Sequence, residues 1–177
     1  MKTLKQSQPI QHSRIYALGA ARGDTIVTNQ EIAGPIDSSD EWIQQRTGVI
    51  TRTRSSKDQS LMDLATTASN EAIKKAGINP EQIGAVILAT ISFPYQTPSG
   101  ASLLSELVGA HDAAAYDISA ACAGYCYGIA QADAMVRAGV SEYVLVVGAE
   151  RLSDFISPSD RSISFLLGDG AGAAIVG

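Results

Sequence analysis

The amino-acid sequence predicts an α/β fold, and three of its properties support that class. Apolar runs of strand length alternate along the chain with longer segments of helical periodicity, which is the order typical of α/β proteins. Several of the helical segments begin at serine and end at glycine, as capped helices do. The 177 residues are 45% hydrophobic and 18% charged, which is a globular composition. We therefore expect one α/β domain with a core of its own.

The first half of the chain predicts extended segments separated by two helices. Three runs have strand length: residues 14–20, 49–54 and 85–91. Ser38, with Glu41 three residues later, predicts the capped start of one helix. Ser60 is the expected cap of a longer helix over Leu61–Ala76, which stops at Gly77. The order of elements in this half is strand, helix, extended segment, helix and strand.

The second half continues the same alternation. Two segments are predicted to be helices: about residues 100–108 and about residues 122–138. Four segments are predicted to be strands: residues 114–118, 143–148, 163–167 and 171–176. The second helix stops at Gly139, and a glycine-rich turn separates the last two strands. The chain ends at Gly177 within a strand-like run, so we expect it to be a piece of a longer protein.

Composition and charge argue against several classes of protein. No apolar run approaches the ~18 residues that a membrane span requires, and residues 1–13 form a polar tail without the apolar stretch of a secretory signal. We therefore expect a cytoplasmic protein with no membrane partner, whose domain covers residues 14–177. The formal net charge of -5 argues against a nucleic-acid partner. The two cysteines have no histidine nearby in the sequence, so neither a disulfide framework nor a metal site is predicted.

Cys122 stands where a predicted strand passes into a predicted helix, among alanine and glycine residues that leave it uncrowded. A thiol in the first turn of a helix lies near unpaired backbone N–H groups and the positive end of the helix dipole, which favours the thiolate. The same N–H groups can stabilise a developing oxyanion. A free cysteine in an apolar helix is nevertheless more often a packing residue. Position alone therefore leaves both interpretations open.

Six motifs resemble those of the β-ketoacyl-acyl-carrier-protein synthases III and occur in that family's order. They lie at residues 27–29 (VTN), 37–43 with 46–49 (DSSDEWI and RTGV), 119–125 (SAACAGY), 146–150 (VVGAE), 160–161 (DR) and 168–173 (GDGAGA). The resemblance extends from about residue 14 to residue 177, and residues 38–39 and 96–98 are most similar to actinobacterial members. It implies one half of a thiolase-like fold, with a mixed, mainly parallel five-stranded sheet and helices on both faces. The carboxy-terminal half of the family is absent from this chain.

The resemblance also implies an activity. Cys122 would take an acyl group from acyl-CoA as a thioester, and the acyl-enzyme would condense with malonyl-acyl carrier protein as carbon dioxide leaves. No cofactor is implied, since acyl-CoA is a substrate. The family's catalytic histidine and asparagine belong to the second half, and neither His12 nor His111 matches that histidine. The implied partners are the carboxy-terminal half, a second copy in a homodimer, and the carrier protein, whose docking patch lies mostly in the missing half.

Trp42 and Arg46 are four residues apart on one predicted helix and therefore share a face. An aromatic ring beside a guanidinium can stack an adenine and hold phosphates. The resemblance assigns that role, binding of CoA, to Trp42, Arg46 and Arg161. The alternative interpretation is a core tryptophan and two surface arginines. The resemblance also assigns Thr97 to the acyl pocket or the dimer contact.

The glycine-rich segment at residues 168–173 imitates a dinucleotide-binding fingerprint. Such a fingerprint has to open a helix, whereas the residues that follow are strand-like, so we interpret the segment as a tight turn without a nucleotide.

Gly124 and Gly128 lower the stability of the helix that contains them, which suggests close approach of another backbone. We expect that backbone to belong to the missing half, and we expect Cys126 to be a small buried residue.

Three other functions stay open. A thiolase, a chalcone-type synthase or a hydroxymethylglutaryl-CoA synthase would share the fold, although residues 37–49 and 168–173 favour a synthase III. A related polyketide-type ketosynthase III is a second alternative, and a non-catalytic half or scaffold subunit is a third. Retention of Cys122 in its full motif argues against the scaffold.

Overall fold

The computed structural model describes residues 12–177, and a five-stranded sheet forms its centre. The strands are β1 (Ile15–Arg22), β2 (Thr25–Thr28), β3 (Thr51–Arg54), β4 (Ile83–Ala89), β5 (Ala114–Ile118), β6 (Tyr143–Glu150) and β7 (Gly170–Val176). The helices are α1 (Asn29–Ala33), α2 (Asp40–Thr47), α3 (Leu61–Ala76), α4 (Gly100–Val108) and α5 (Gly124–Arg137). Of the predicted tail at residues 1–13, all but the last two lie outside the described residues.

The central sheet is mixed, with the strand order β1-β7-β6-β4-β5. Strands β4, β5 and β6 are parallel, and β7 runs antiparallel to both of its neighbours, β6 and β1. Four of the five strands therefore run in one direction, and β7 alone is reversed. The predicted mixed α/β sheet is confirmed. Two strand pairs are parallel (β6–β4 and β4–β5) and two are antiparallel (β1–β7 and β7–β6), because the reversed strand β7 lies between β1 and β6.

Helices cover both faces of this sheet, as predicted. On one face, α3 packs against β1, β7 and β6, and α4 packs against β4 and β5. On the other face, α5 packs against β6 and β4. Each interface has its own cluster of buried aliphatic side chains, so the sheet carries a core on either side. No helix among the described residues is long and apolar enough to cross a membrane.

Local sequence signals explain most helix boundaries. Ser60 accepts a hydrogen bond from the Asp63 backbone N–H, and the Asp63 carboxylate accepts one from the Ser60 N–H, which is a capping box. Helix α3 ends at Gly77, whose φ of 69° is left-handed. Helix α2 begins one residue later than predicted, because Ser39 rather than Ser38 accepts from the Trp42 N–H.

Two parts of the chain differ from the predicted elements. The hairpin β2–β3 and the short helix α1 were not predicted as such. The strand predicted at residues 163–167 is wrong, because this segment forms successive turns. Its carbonyl oxygens bind arginine side chains instead of a neighbouring strand: Arg54 donates to Ser164 O at 2.9 Å, and Arg52 donates to Phe165 O at 2.8 Å.

The two edges of the central sheet differ. At the β1 edge, the Ala20 N–H donates to the Glu71 carboxylate at 2.7 Å, and Lys75 Nζ donates to Leu18 O at 3.2 Å. Glu71 and Lys75 also pair with each other at 2.7 Å on α3, and the hydrogen bond from Lys75 lowers the pKa of Glu71. These side chains occupy backbone groups that a further strand would need. Within residues 12–177, no side chain caps the outer edge of β5 in this way.

Candidate active site

Cys122 lies between β5 and α5, in a single 3₁₀ turn over Ala121–Ala123. Its side chain is exposed. The helix that follows begins without a side-chain cap, so the backbone N–H groups of its first turn are not bound by a side chain. The thiol was expected within the first helical turn, and it lies in the turn that leads into the helix. The expected proximity to the helix amino terminus is present.

The backbone just before Cys122 is strained. Ala121 has a φ of 45°, a left-handed conformation that residues with a Cβ rarely adopt. Such outliers persist only where the surrounding structure imposes them, and they concentrate at functional sites. Here the left-handed residue lies in the connection between β5 and α5, and the next side chain, that of Cys122, is exposed.

A cavity of about 220 Å³ lies beside Ala121. Its other lining residues come from the ends of β4, β6 and β7 and from the first turn of α5: Ala89, Tyr125, Gly148, Ala149, Glu150, Gly170, Ala171 and Gly172. Burial raises the pKa of Tyr125, so its hydroxyl stays protonated at neutral pH. Residues 170–176 form β7, so the helix that a dinucleotide fingerprint requires does not follow the glycine-rich segment. The turn predicted over residues 168–173 is wrong from Gly170 onward, because residues 170–173 pair with β1 and β6.

A larger cavity of about 420 Å³ lies at the β5 edge, below the loop that joins β4 to α4. Apolar side chains of that loop, among them Phe93 and Tyr95, line it together with Ser119, which precedes Cys122 by three residues. Gln96 and Ser99 also line the cavity, whereas Thr97 between them is exposed. Thr97, predicted for the acyl pocket or the dimer contact, therefore lies in a loop that borders this cavity but does not itself line it.

Two carboxylates that the sequence analysis did not single out hold this loop. Glu150, at the end of β6, accepts hydrogen bonds from the Ile91 N–H at 2.9 Å and from the Ser92 hydroxyl. Asp117, at the end of β5, accepts from the N–H groups of Gly100 and Ala101 at 2.8 and 2.7 Å, which fixes the start of α4. Their position at the carboxyl ends of predicted parallel strands was the signal that could have identified them.

Trp42 is the centre of a second cluster. The Arg46 guanidinium lies over its ring at 4.4 Å from the centroid, one helical turn away on α2. Arg161, from the segment before β7, lies 5.6 Å from the same centroid, and Phe165 contacts the indole edge-on at 5.3 Å. The predicted common face of Trp42 and Arg46 is present. Both arginines are exposed, so their guanidinium groups are accessible to a ligand.

The two glycines of α5 approach the chain's own sheet. A Cβ at Gly128 would lie 2.7 Å from Val146 Cγ1, and a Cβ at Gly124 would lie 3.0 Å from the Cβ of Ala89. The prediction that they face a missing half is therefore wrong, because α5 packs against β4 and β6 at these positions. Cys126 is exposed, so its predicted burial is also wrong for this chain.

Gly128→Ala is expected to destabilise the fold despite the better helix propensity of alanine. The added methyl group would overlap Val146, which is fully buried in β6, and overpacking of this kind costs roughly 1–3 kcal/mol. The midpoint of urea unfolding should fall at an unchanged m value. In the double variant Gly128→Ala/Val146→Ala, the methyl group has room, so the two substitutions should cost less together than the sum of their separate costs. If the costs in unfolding free energy of the two substitutions simply add, contact with Val146 is not the reason that a larger residue is destabilising at position 128.

The histidines lie away from Cys122. His111 is in the turn after α4, where its Nδ1 is 2.9 Å from the exposed carboxylate of Glu106. That turn precedes β5, whereas Cys122 follows it, and five strand residues span roughly 16 Å. His12 is exposed at the start of the described residues. The described residues contain no group of three or more side chains suited to hold a metal ion.

Comparison with known proteins identifies similar chains. Residues 116–177 match the family described as 3-oxoacyl-[acyl-carrier-protein (ACP)] synthase III. The chain is 55% identical over 177 residues to a β-ketoacyl-[acyl-carrier-protein] synthase III of Kocuria rhizophila, covering 100% of this chain and 50% of that protein. It is 49% identical over 167 residues to the synthase III of Tropheryma whipplei, covering 94% of this chain and 52% of that protein.

Solved structures show the same likeness. The priming β-ketosynthase of the R1128 polyketide biosynthetic pathway superposes with a TM-score of 0.91 at 41% identity, covering 93% of this chain and 49% of that one. The 3-oxoacyl-[acyl-carrier-protein] synthase III of Aquifex aeolicus superposes with a TM-score of 0.89 at 38% identity, covering 93% and 53%. The chain thus spans about half the length of the relatives that it matches.

Proposed function

Because the chain corresponds to the amino-terminal half of the β-ketoacyl-acyl-carrier-protein synthase III family, as its motifs predicted, we propose that it supplies the nucleophile of such an enzyme. The relatives named above include actinobacterial proteins, in agreement with the predicted branch. In this proposal Cys122 accepts an acyl primer from acyl-CoA, and the acyl-enzyme condenses with malonyl-acyl carrier protein to begin fatty-acid synthesis. The observation that carries the proposal is the exposed thiol after the left-handed Ala121, at the uncapped start of α5.

The first half-reaction can be written for the residues of this chain. The Cys122 thiolate attacks the thioester carbonyl of acyl-CoA, and the bond between the acyl carbon and the CoA sulfur breaks. CoA leaves as a thiolate and takes up a proton, while Cys122 carries the acyl group as a new thioester. In this proposal the tetrahedral oxyanion is stabilised by backbone N–H donors beside Cys122, where no side chain competes for them. We assign the acyl chain to the cavity at the β5 edge, which Ser119 of the SAACAGY motif helps to line.

The second half-reaction needs groups that we assign to the other half of the enzyme. Malonyl-acyl carrier protein loses carbon dioxide, and the resulting enolate attacks the acyl carbon on Cys122, which releases the thiolate and forms the β-ketoacyl carrier protein. Donors to the malonyl thioester oxygen stabilise the enolate. The family's histidine and asparagine have that role in this proposal, and they would come from the carboxy-terminal half. No step requires a cofactor, and the proposed substrates are those of a cytoplasmic enzyme.

For the CoA part of acyl-CoA, we propose the cluster around Trp42. The indole offers a flat apolar face for the adenine, and Arg46 and Arg161 offer charge to the phosphates. The alternative interpretation is a packed tryptophan with two surface arginines, of which Arg161 also lies 3.8 Å from the Asp37 carboxylate. The convergence of both guanidinium groups on one ring supports the CoA site over this alternative.

Trp42→Ala and Arg161→Ala, made in the full-length enzyme, are expected to raise the KM for acyl-CoA by roughly tenfold each, because each removes about 1–2 kcal/mol of ligand contact. The KM for malonyl-acyl carrier protein should stay within about twofold, since the malonyl group arrives on a carrier and not on CoA. Steady-state kinetics with one substrate varied at a time measure both constants. Equal increases in the two KM values would show that the cluster does not bind CoA.

A polyketide-type priming ketosynthase is the second candidate, favoured by the structural likeness to the R1128 enzyme. The two candidates differ in the carrier that accepts the new chain, not in the chemistry at Cys122. Condensation rates with a fatty-acid carrier protein and with a polyketide carrier protein, both loaded with malonate, distinguish them.

We further propose that two copies of the complete enzyme pair through β5. The other edge of the sheet, at β1, is occupied by Glu71 and Lys75, whereas no described side chain caps β5. Ile118 O accepts from the Thr90 N–H toward β4, so by alternation Ala115 directs its own N–H outward. Pairing of two β5 strands would continue the sheet from one copy into the next.

Ala115→Pro is expected to convert the dimer to a monomer, because proline removes an outward N–H without taking a donor from the pairing with β4. Light scattering of the full-length enzyme measures the mass. Ala115→Ser keeps the N–H and serves as the matched control. A dimer that persists in the folded proline variant would place the interface elsewhere.

We assign the outer face of α5 to contact with the carboxy-terminal half. Three residues of this face are exposed in the present chain: Cys126, Tyr127 (55% accessible) and Ala130. The face adjoins the proposed nucleophile, because α5 follows Cys122 directly. A second half seated on this face would bring its catalytic groups toward the start of α5, where Cys122 lies. Reduced labelling of Cys126 by a maleimide in the full-length enzyme, compared with the isolated chain, is the expected result.

A further inference from the structure

A buried polar pair connects the parts of the chain that build the Trp42 cluster. Asn29, from the VTN motif, is 1% exposed, and Arg52 on β3 is 7% exposed. The Arg52 guanidinium donates to the Asn29 side-chain oxygen and to Phe165 O, the latter at 2.8 Å. The Asn29 side-chain amide donates to Asp40 Oδ1 and to Val49 O, both at 2.7 Å. The pair therefore joins the start of α2 to the segment that contains Phe165.

The partners of Arg52 make this pair unusual for a buried charge. Its guanidinium donates to the backbone oxygens of Val27 and Phe165 and to the amide oxygen of Asn29, so every hydrogen-bond acceptor in contact with it is neutral. Burial lowers the pKa of Arg52, which reflects the cost of removing the charge from water. A planar guanidinium can bind acceptors on separate segments in a fixed geometry, which a lysine ammonium cannot. The arrangement is thus suited to hold segments in register.

The two segments joined by the pair are those whose side chains meet at Trp42. Helix α2 carries Trp42 and Arg46, and its first residue, Asp40, is bound by Asn29. The segment after Arg161 carries Phe165, whose carbonyl is bound by Arg52 and whose ring contacts the Trp42 indole at 5.3 Å. Arg46 and Arg161 converge on the indole only while the two segments keep this relative position.

We propose that Asn29 and Arg52 are positioning residues for CoA binding, which hold α2 and the segment at residues 161–165 so that Arg46 and Arg161 meet over Trp42. The inference rests on the proposed role of the Trp42 cluster and extends it to two buried residues that cannot contact CoA themselves. It also gives the VTN motif a physical function, since Asn29 supplies both the acceptor for Arg52 and the donor for Asp40.

Asn29→Asp tests the link with almost no change of shape. The aspartate keeps an oxygen for Arg52 but replaces the N–H donors that face Asp40 and Val49, and it places a carboxylate beside that of Asp40. In the full-length enzyme we expect the KM for acyl-CoA to rise roughly tenfold, as misplacement of a binding group can do, with kcat and the KM for malonyl-acyl carrier protein within about twofold. Arg52→Lys, which loses the forked geometry, should act in the same direction and gives a second route if the aspartate variant does not fold.

Ile73→Ala is the control for a general loss of stability, because Ile73 is buried in the cluster between α3 and the sheet and not in the cluster around Trp42. Its KM for acyl-CoA should match that of the unmodified enzyme at equal folded fraction. Trp42 is the single tryptophan of this chain. In the chain expressed by itself, where no second half adds tryptophan, its emission spectrum should shift in Asn29→Asp and stay unchanged in Ile73→Ala.

A double-mutant cycle separates the possible outcomes. If Asn29 acts through the cluster, Asn29→Asp should raise the KM for acyl-CoA by less than about twofold when Trp42 is already alanine. A full tenfold rise in that background would overturn the positioning role while leaving the proposed CoA site intact. If Trp42→Ala alone leaves the KM for acyl-CoA unchanged, the proposed CoA site and the positioning role both fail.

Discussion

Cys122→Ala, made in the full-length enzyme, is expected to abolish acyl transfer from acyl-CoA, with a loss of roughly 10⁴-fold or more in rate. Alanine removes the sulfur that forms the thioester, and because it is smaller than cysteine it introduces no steric clash. The enzyme completed by its second half should gain the mass of one acyl group when incubated with acetyl-CoA. The Cys122→Ala variant should gain none.

Cys126→Ser is the matched control for this experiment. Cys126 lies one helical turn after Cys122 and is also exposed in the isolated chain, so it is the competing thiol. Acylation should survive Cys126→Ser, and peptide mapping should locate the hydroxylamine-sensitive group at Cys122. An adduct that maps to Cys126, or a thioester that persists without Cys122, would overturn the assignment of the nucleophile.

The 177-residue chain by itself is expected to show no condensation above background. Both of its histidines lie away from Cys122: His111 precedes β5, and His12 is at the start of the described residues. Loss of a single oxyanion donor lowers the rate of an enzyme by about 10²–10³. Absence of several such groups together should therefore reduce decarboxylation of malonyl-acyl carrier protein below detection.

Release of carbon dioxide from malonyl-acyl carrier protein, with acetyl-CoA present, measures this activity. Addition of the carboxy-terminal half as a separate polypeptide is the positive control and should restore turnover. Light scattering of the isolated chain should show self-association, because exposed apolar residues such as Tyr127 and Leu107 are not covered. A monodisperse monomer with ordinary turnover would show that the chain is catalytically complete.

Local sequence patterns predicted the parts of the site that depend on local geometry. Spacing of four residues on a helix was enough to place Trp42 and Arg46 on one face, and the structure has the guanidinium over the ring. Arrival of Arg161 and Phe165 at the same ring depends on how a distant segment folds back. No periodicity contains that information, and only the family resemblance suggested a role for Arg161.

The wrong predictions have a common physical cause. Residues 163–167 form a mainly apolar run of strand length, but Arg52 and Arg54 bind the carbonyl groups at Phe165 and Ser164. The glycines of α5 did indicate close packing, and the neighbour is the sheet below. In both cases the sequence showed what a segment can do, while the identity of its partner was decided by tertiary structure.

The unequal edges of the central sheet have a consequence for the dimer proposed above. A sheet with two open edges can add copies at either side without limit and grow into a fibre, which is an open assembly. Among the described residues, the Glu71–Lys75 pair binds the Ala20 N–H and the Leu18 carbonyl on the outer side of β1, so we expect a further copy to add only at β5. Two copies joined at that strand would each present a blocked edge to the outside. The Glu71–Lys75 ion pair on α3 would then limit the assembly to two subunits, because neither copy would offer a free sheet edge for a third.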